Sequence, residues 1–250
     1  MAYAEQDGRT RRRGAGVTDD AIETIHELIA SGEWGPGTRL PREADLAKQL
    51  GLSRNSLREA VRALSLARVL EVRQGDGTYV SSLEPGELLE PTLFATHLLR
   101  GRTVLELFEV RRMLEPEAAA MAALRADCDV IEALRRELDR MHVAGDRAED
   151  LVEADAGFHD VIGRAPGNAV LHTLLRSLST RTVRARLWHG MVDRMALDLA
   201  RAEHTNIYEA IAAGDADFAR AATLLHIAHN ENWLRENLGP AEDVPLRDVI

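Results

Sequence analysis

The chain has 250 residues, a hydrophobic content of 45% and a formal net charge of −10. This length leaves room for one small and one larger domain, and the composition is that of a packed globular protein. The single cysteine, Cys128, excludes an internal disulfide framework, and no apolar run reaches the roughly 20 residues that span a bilayer. No apolar segment follows the N-terminal arginines, so we expect no signal peptide and a cytoplasmic protein.

Most of the negative charge lies in the second part of the chain. Residues 35–80 carry a net charge of +3, whereas residues 83–250 carry −10. Salt screens charges that lie more than about 10 Å apart, so a basic segment can bind phosphates beside an acidic domain. The charge pattern therefore favours a nucleic-acid-binding head on an acidic body.

The first predicted elements form a helix-turn-helix. Residues 1–16 are predicted to be a disordered arm, and a first helix begins near Thr18. A short helix then ends at Gly51, and Ser53 is a suitable N-cap for a longer helix that follows at once. Two helices joined by so short a turn are typical of DNA-binding helix-turn-helix units.

A small hairpin and an exposed polar helix face complete this head. Two β-prone runs flank a glycine-rich turn that contains Gln74 and Gly75, which predicts the wing of a winged helix over residues 17–80. The solvent side of the second helix carries residue types that suit phosphates and guanine edges, namely Ser53, Arg54, Asn55, Arg58 and Arg62. Contact with another protein is the alternative use of such a face.

This segment resembles the winged-helix domain of GntR-type bacterial regulators. The matching stretches are PGTRLPRE, ADLAKQLGLSRNSLREAVRAL and QGDGTYV. The resemblance implies that the operator is read by Ser53, Arg54, Asn55, Arg58, Gln74 and Gly75. Ala44 stands where many relatives carry a DNA-contacting arginine, and Arg42 is expected to take part of that role.

The remainder is predicted to be entirely helical. We place a linker at residues 81–86, where periodicity is lost, then an all-α antiparallel bundle over residues 87–239 and a tail over residues 240–250. The predicted helices cover residues 87–100, 103–125, 130–144, 148–164, 168–189, 193–213 and 215–238. The fold class is thus mainly α, with a small β-wing in the first domain.

Polar side chains interrupt the apolar stripes of three of these helices. Asp155 and His159 are four residues apart and face inward together, and His204, His226 and His229 lie on the stripes of two later helices. Burying such groups costs several kcal/mol unless each finds a partner. Either a divalent metal ion binds several of them at once, or each histidine is hydrogen-bonded separately to a neighbouring helix.

Residues 113–226 resemble the FCD ligand-binding domain of the FadR-like GntR subgroup. The matching runs include FEVRRMLEPEAAAMAA, DAGFH, GNAVL and EHTNIYEAIAAGDADFARAATLLH. Metal-binding members use one Asp, a His four residues later and two further His, which implies Asp155, His159, His204 and His226 as ligands. We expect zinc, with nickel or manganese as alternatives, and we expect His229 to take no part.

An ion with four protein ligands retains positions for a small carboxylate or sugar-acid effector, as the resemblance implies. A second anchor for such a ligand would be an arginine that points into the bundle. Arg181 continues an apolar stripe of its helix, and Arg111 lies in the FEVRRMLEP run. An ion pair with a neighbouring acidic residue is the alternative role for each.

The predicted function is a transcription regulator that acts as a homodimer on a palindromic double-stranded DNA operator. We expect it to repress a catabolic operon and to respond to its effector. One alternative is a metal-dependent hydrolase with an accessory DNA-binding head, but the sequence contains no recognisable general base or nucleophile motif. Another is a metal-free acyl-CoA-responsive regulator, against which the complete ligand set argues.

Overall fold

The computed structural model describes residues 16–95, 103–145, 147–192 and 194–237. The chain divides into two compact units, and the boundary lies between Pro91 and Thr92. The predicted arm, except for Gly16, and the predicted tail lie outside the described residues. Within the ranges given above, no helix combines the length and the apolarity that crossing a bilayer requires.

The first unit is a winged helix built from three helices and a two-stranded sheet. Its elements are α1 (Val17–Ala30), α2 (Glu43–Leu50), α3 (Arg54–Leu66), β1 (Leu70–Arg73) and β2 (Gly77–Val80). The strands are antiparallel, with Leu70 opposite Val80 and Arg73 opposite Gly77. Apolar side chains from all five elements and the loop after α1 form one core, whose buried members are Ile25, Trp34, Leu40, Leu46, Ala47, Leu57, Leu64, Leu70 and Val80.

The turn between α2 and α3 follows from two residues. Gly51 ends α2 in the left-handed conformation with φ 68°, which costs glycine no steric strain. Ser53 then accepts a hydrogen bond from the Ser56 amide at 3.0 Å and caps α3. This local chemistry confirms the predicted helix-turn-helix and leaves the start of α3 exposed.

The segment after the wing differs from the predicted linker. A fourth helix, α4 (Pro85–Ala95), begins inside residues 81–86 and continues across the boundary between the units. Proline at a first helical position has no amide hydrogen to leave unpaired, and its fixed φ suits the helix. The boundary between the units is therefore some five residues later than predicted.

The second unit is helical throughout its described residues. Its helices are α5 (Thr103–Arg125), α6 (Cys128–Ala144), α7 (Ala148–Arg164), α8 (Ala169–Val192), α9 (Arg194–Ala212) and α10 (Ala216–Asn237). The predicted spans are reproduced to within about three residues, but Gly190 lies inside α8 and does not end it. Ion pairs join Arg220 to Glu117 and Arg235 to Glu109, so α10 runs antiparallel to α5.

The core of this unit is made of small and branched apolar side chains. Its larger buried members come from α6, α7 and α9 and include Leu134, Met141, Phe158, Ile162, Ile207 and Ile211. Seven alanines, four of them in α5, are also buried there, which lets the helices approach closely. Polar groups on α7, α9 and α10 adjoin this core, and they form the site described next.

Candidate metal centre and nucleic-acid interface

Four side chains from three helices converge inside the second unit. Asp155 and His159 come from α7, His204 from α9 and His226 from α10. One potential ligand atom from each lies within 4.8 Å of the others, and the three histidines are at least 95% buried. All four metal ligands implied by the sequence are therefore neighbours in the fold, brought together from positions 71 residues apart.

The outward nitrogen of each imidazole is held by a separate acceptor. Nδ1 of His159 lies 3.0 Å from Glu115, and Nδ1 of His226 lies 2.9 Å from Glu203. Nδ1 of His204 lies 2.6 Å from the carbonyl oxygen of Ala200, one turn earlier on the same helix. Each ring thus carries its hydrogen on Nδ1 and presents the Nε2 lone pair to the cluster.

The inward nitrogens fit a metal ion better than separate hydrogen bonds. Among the described residues, Nε2 of His159, His204 and His226 has no aligned hydrogen-bond partner, although each atom is buried. Nε2 of His204 lies 3.1 Å from Asp155, but separate hydrogen bonding would leave Nε2 of His159 and of His226 without a partner. Neutral imidazole nitrogens and a carboxylate are the ligands that zinc and related divalent ions accept, so one ion would satisfy all of these atoms.

The electrostatics favour the ligand form of these groups. Burial, followed by repulsion from His204, lowers the pKa of His226 to about 3, and burial also lowers the pKa of His159. Burial alone would raise the pKa of Asp155, but the positive charge of Arg186 holds it well below its usual value. At neutral pH the two rings are uncharged and the carboxyl group is ionised, as metal binding requires.

Two buried arginines flank the cluster. Arg186 of α8 forms an ion pair with Asp155. Arg111 of α5 donates to Glu115 at 2.5 and 3.2 Å and to the Thr182 hydroxyl at 2.9 Å. Arg111 therefore lies behind His159 with its donors engaged, while Arg186 stands directly beside a potential ligand.

A cavity of about 50 Å³ adjoins the cluster. Asp155, His204 and His226 form one side of it, and its other polar lining residues are Arg186, His189, Arg201 and Asn230. The rest of the wall is apolar and consists of Met141, Leu151, Val152, Leu197 and Ala200. A small ligand there would touch the potential metal ligands and an arginine at the same time.

The structure describes the side chain of only one of the two predicted effector anchors. Arg111 is not part of the described lining, and the side chain of Arg181 lies outside the described residues. The sequence did not single out Arg186 or Arg201, and in α8 the stripe of leucines pointed to Arg181 instead. The described buried positions of α8 are Thr173, Leu175, Ser179, Thr182 and Arg186, and most of these are polar. A polar buried face gives no hydrophobic periodicity to find.

We expect the metal-stripped protein to lose stability as pH falls below about 6.5. The unfolded chain binds a proton at His226 near pH 6.5, whereas the folded state resists protonation down to about pH 3. Stability is therefore present above pH 6.5 and is lost at about 1.4 kcal/mol per pH unit below it. Burial of His159 acts in the same direction.

Thermal unfolding of chelator-treated protein between pH 7.5 and pH 5 measures this effect. His226→Gln should flatten the pH profile, and His26→Gln, at an exposed position of α1, should leave it unchanged. A melting temperature that is independent of pH in the wild-type protein would contradict the prediction.

The predicted DNA-reading residues are all exposed on the first unit. Ser53, Arg54, Asn55 and Arg58 lie at the start of α3, Arg42 precedes α2, and Gln74 and Gly75 occupy the turn of the wing. Arg58 donates from two nitrogens to the same oxygen of Glu43, at 3.1 and 2.9 Å. This contact holds the guanidinium of Arg58 over the start of α2.

The wing also carries two arginines that the sequence did not single out. The guanidinium groups of Arg73 and Arg39 lie 4.3 and 5.9 Å from the ring centre of Tyr79. The Tyr79 hydroxyl donates to Asp76 at 2.7 Å and so ties the strand to the turn. Both arginines are half exposed beside Gln74 and Gly75, and they form ion pairs, Arg39 with Asp76 and Arg73 with Glu71.

Both units match described protein families. The family described as "Bacterial regulatory proteins, gntR family" matches residues 17–80, and the family described as "FCD domain" matches residues 106–229. The first match coincides with the winged helix, and the second contains all four residues of the cluster.

Individual proteins match over nearly their whole length. The chain is 32% identical to the HTH-type transcriptional regulator LutR of Bacillus subtilis over 83% of this chain and 96% of that protein. It is 30% identical to the galactonate operon transcriptional repressor of Escherichia coli, over 88% and 97% of the two chains. Among solved structures, Streptococcus agalactiae GntR matches 86% of this chain and 99% of its own with a TM-score of 0.59 and 27% identity.

Proposed function

Because this chain belongs to the gntR family of bacterial regulatory proteins and carries an FCD domain, we propose that it represses a catabolic operon in response to a small carboxylate. It is a DNA-binding transcription regulator and not an enzyme. We further propose that it acts in the cytoplasm as a homodimer on a palindromic operator. Two winged helices related by two-fold symmetry would then occupy matching half-sites.

The exposed start of α3 supports the assignment of operator contacts. Arg54 and Asn55 are free of the core, and the residue types of Ser53, Arg54, Asn55 and Arg58 suit phosphates and base edges. The turn of the wing, with Gln74 and Gly75, is a second contact of the same kind. Arg42 and the wing arginines add charge that positions the head without reading sequence.

The convergence of three Nε2 atoms and Asp155 beside a cavity is the observation that carries the sensing half of the proposal. Asp155, His159, His204 and His226 would hold a divalent metal ion, with zinc preferred for its affinity for imidazole and nickel or manganese as alternatives. The ion would supply positive charge that attracts a carboxylate. The relative named for a galactonate operon supports a sugar acid or a smaller hydroxy acid as the effector.

A cationic side chain would complete the effector site. Arg186 and Arg201 line the cavity, and Arg181 remains a candidate from the sequence. Arg111 would act on the effector site only indirectly, because its donors already bind Glu115 and Thr182. A carboxylate that reached Arg186 would compete with Asp155 for it, and the ligand would thereby bias the packing of α7 against α8.

The proposal is tested by operator binding in the presence of metal and of a panel of small carboxylates. Fluorescence anisotropy uses DNA from the promoter region of the gene that encodes this chain. It should show that at least one hydroxy acid or sugar acid releases the protein from this DNA. The same acid should raise the melting temperature of the metal-loaded protein by mass action. Failure of every acid to alter either signal would overturn effector control, and consumption of the acid would instead indicate the hydrolase alternative.

A separate prediction concerns Arg58. We expect Arg58→Ala to weaken binding to the operator by about 1–3 kcal/mol and to relax sequence preference. Arg136→Ala removes the same charge from an exposed position of α6 and is the matched control. Equal affinities for Arg58→Ala and wild type in a titration at fixed salt would exclude Arg58 as a base contact.

A further inference from the structure

Glu203 is a buried carboxylate that joins two histidines of the following helix. One of its oxygens lies 2.9 Å from Nδ1 of His226, and the other accepts a hydrogen bond from Nδ1 of His229. Glu203 is 6% exposed, whereas the side chain of His229 is 40% exposed. A chain of two hydrogen bonds therefore runs from the surface of α10 through Glu203 of α9 to Nδ1 of His226, the ring nitrogen opposite the metal-site face.

We propose that Glu203 and His229 are positioning residues of the metal centre, with Glu203 fixing the tautomer of His226 and His229 fixing Glu203. This inference rests on the proposed function of Asp155, His159, His204 and His226 as metal ligands. His229, which we expected from the sequence to take no part, thereby gains an indirect role through Glu203.

The tautomer argument follows from the inventory of donors and acceptors. An ionised carboxylate only accepts, so both histidines must place a hydrogen on the nitrogen that faces Glu203. The Nε2 atom of neutral His226 then carries a lone pair, and it points toward His204 and His159, whose ring centres lie 4.4 and 5.3 Å away. A ring with its hydrogen on Nε2 could not bind a metal through that atom.

Glu115, a second buried carboxylate beside the cluster, shows why the surroundings of Glu203 are easier to change by substitution. Glu115 holds His159 in the same manner, but its second partner is Arg111, which is 1% exposed and permanently charged. The second partner of Glu203 is a half-exposed imidazole instead. Substitution at His229 can therefore alter Glu203 without leaving a buried guanidinium unpaired.

Glu203→Gln tests the proposal because an amide cannot accept from both rings. Its oxygen can accept from one histidine, while its NH₂ group must face the other ring as a donor. One of the two rings then loses its hydrogen bond or reverses its tautomer. Outer-sphere partners of metal-binding histidines typically contribute 10–100-fold to metal affinity, and we expect a loss of that size for zinc.

The measurement is a competition titration of the full-length protein with Zn²⁺ and a chromophoric chelator. Glu209→Gln makes the same change at an exposed position of α9 and should keep wild-type affinity. His229→Gln should lose affinity in the same direction as Glu203→Gln but by less. Because its position is half exposed, it keeps the test valid if Glu203→Gln does not fold.

Long-range ¹H–¹⁵N NMR of the metal-stripped protein gives a readout that a purely structural role would not change. In wild type, His226 should be the Nδ1–H tautomer, and in Glu203→Gln that signal should be lost or mixed with the other tautomer. Unchanged zinc affinity together with an unchanged tautomer in Glu203→Gln would overturn the positioning role alone. Failure of the wild-type protein to bind zinc, nickel or manganese would overturn the proposed metal function as well.

Discussion

His204→Ala is expected to abolish high-affinity metal binding while the protein still binds operator DNA. His204 contributes one of four converging ligand atoms, and its Nε2 lies 3.1 Å from Asp155 at the centre of the cluster. With three ligands left, the ion would lose a large share of its binding energy. The winged helix has its own core and contains none of these residues, so its DNA contacts should persist.

Metal content of the purified variant and isothermal titration with zinc measure the loss. The matched control is His142→Ala, since His142 also bonds through Nδ1 to a carbonyl oxygen four residues earlier, at 2.8 Å from Leu138, but lies outside the cluster. The control should retain full stoichiometry. If His204→Ala also retained full metal stoichiometry, the assignment of the four ligands would be wrong.

The same variant separates sensing from DNA binding. We expect it to bind the operator with near wild-type affinity but to remain bound when effector is added. Circular dichroism establishes that the helices are intact, and His204→Gln, which fills more of the buried space, is the alternative if the alanine variant unfolds. Effector release that survives in a folded, metal-free variant would show that the metal is not part of sensing.

Arg111→Ala is expected to destabilise the helical unit by about 3–5 kcal/mol, because it would leave the carboxylate of Glu115 buried without its cation. Burial alone would raise the pKa of Glu115, but the charge of Arg111 together with the hydrogen bond from His159 holds it well below its usual value. Arg111 is also the partner of Thr182, so the connection between α5 and α8 is lost, and Glu115 keeps only its contact with His159 of α7.

Denaturant unfolding of the metal-stripped protein gives the size of this effect. Arg135→Ala removes an exposed arginine that pairs with Glu132 on the same helix, and it should cost less than about 1 kcal/mol. The double variant Arg111→Met with Glu115→Leu should recover part of the stability, because the unpaired charge is absent while Nδ1 of His159 loses its acceptor. If Arg111→Ala were as stable as wild type and failed only to bind effector, Arg111 would be an anchor for the ligand, as the sequence suggested.

The helical repeat pattern and the local motifs determined the architecture. The turn at Gly51, the cap at Ser53 and the glycine-rich wing specify their conformations through residues that are neighbours in sequence, so the winged helix was predictable. The six long helices follow from leucine and alanine periodicity in the same way. The prediction failed at Gly190, where packing overrides the modest cost of a glycine inside a helix, and at residues 85–86, where Pro85 suits the first position of a helix.

The sequence by itself placed several polar residues on buried helix faces, and four of these became the cluster. Only the tertiary structure decided what each of them meets. Hydrophobic periodicity reports the burial of apolar surface, whereas a charged side chain is buried only where another helix supplies its partner. Arg186 beside Asp155, Arg111 behind Glu115, and Glu203 between two histidines are pairings of that kind, and no spacing within one helix could reveal the two that join different helices.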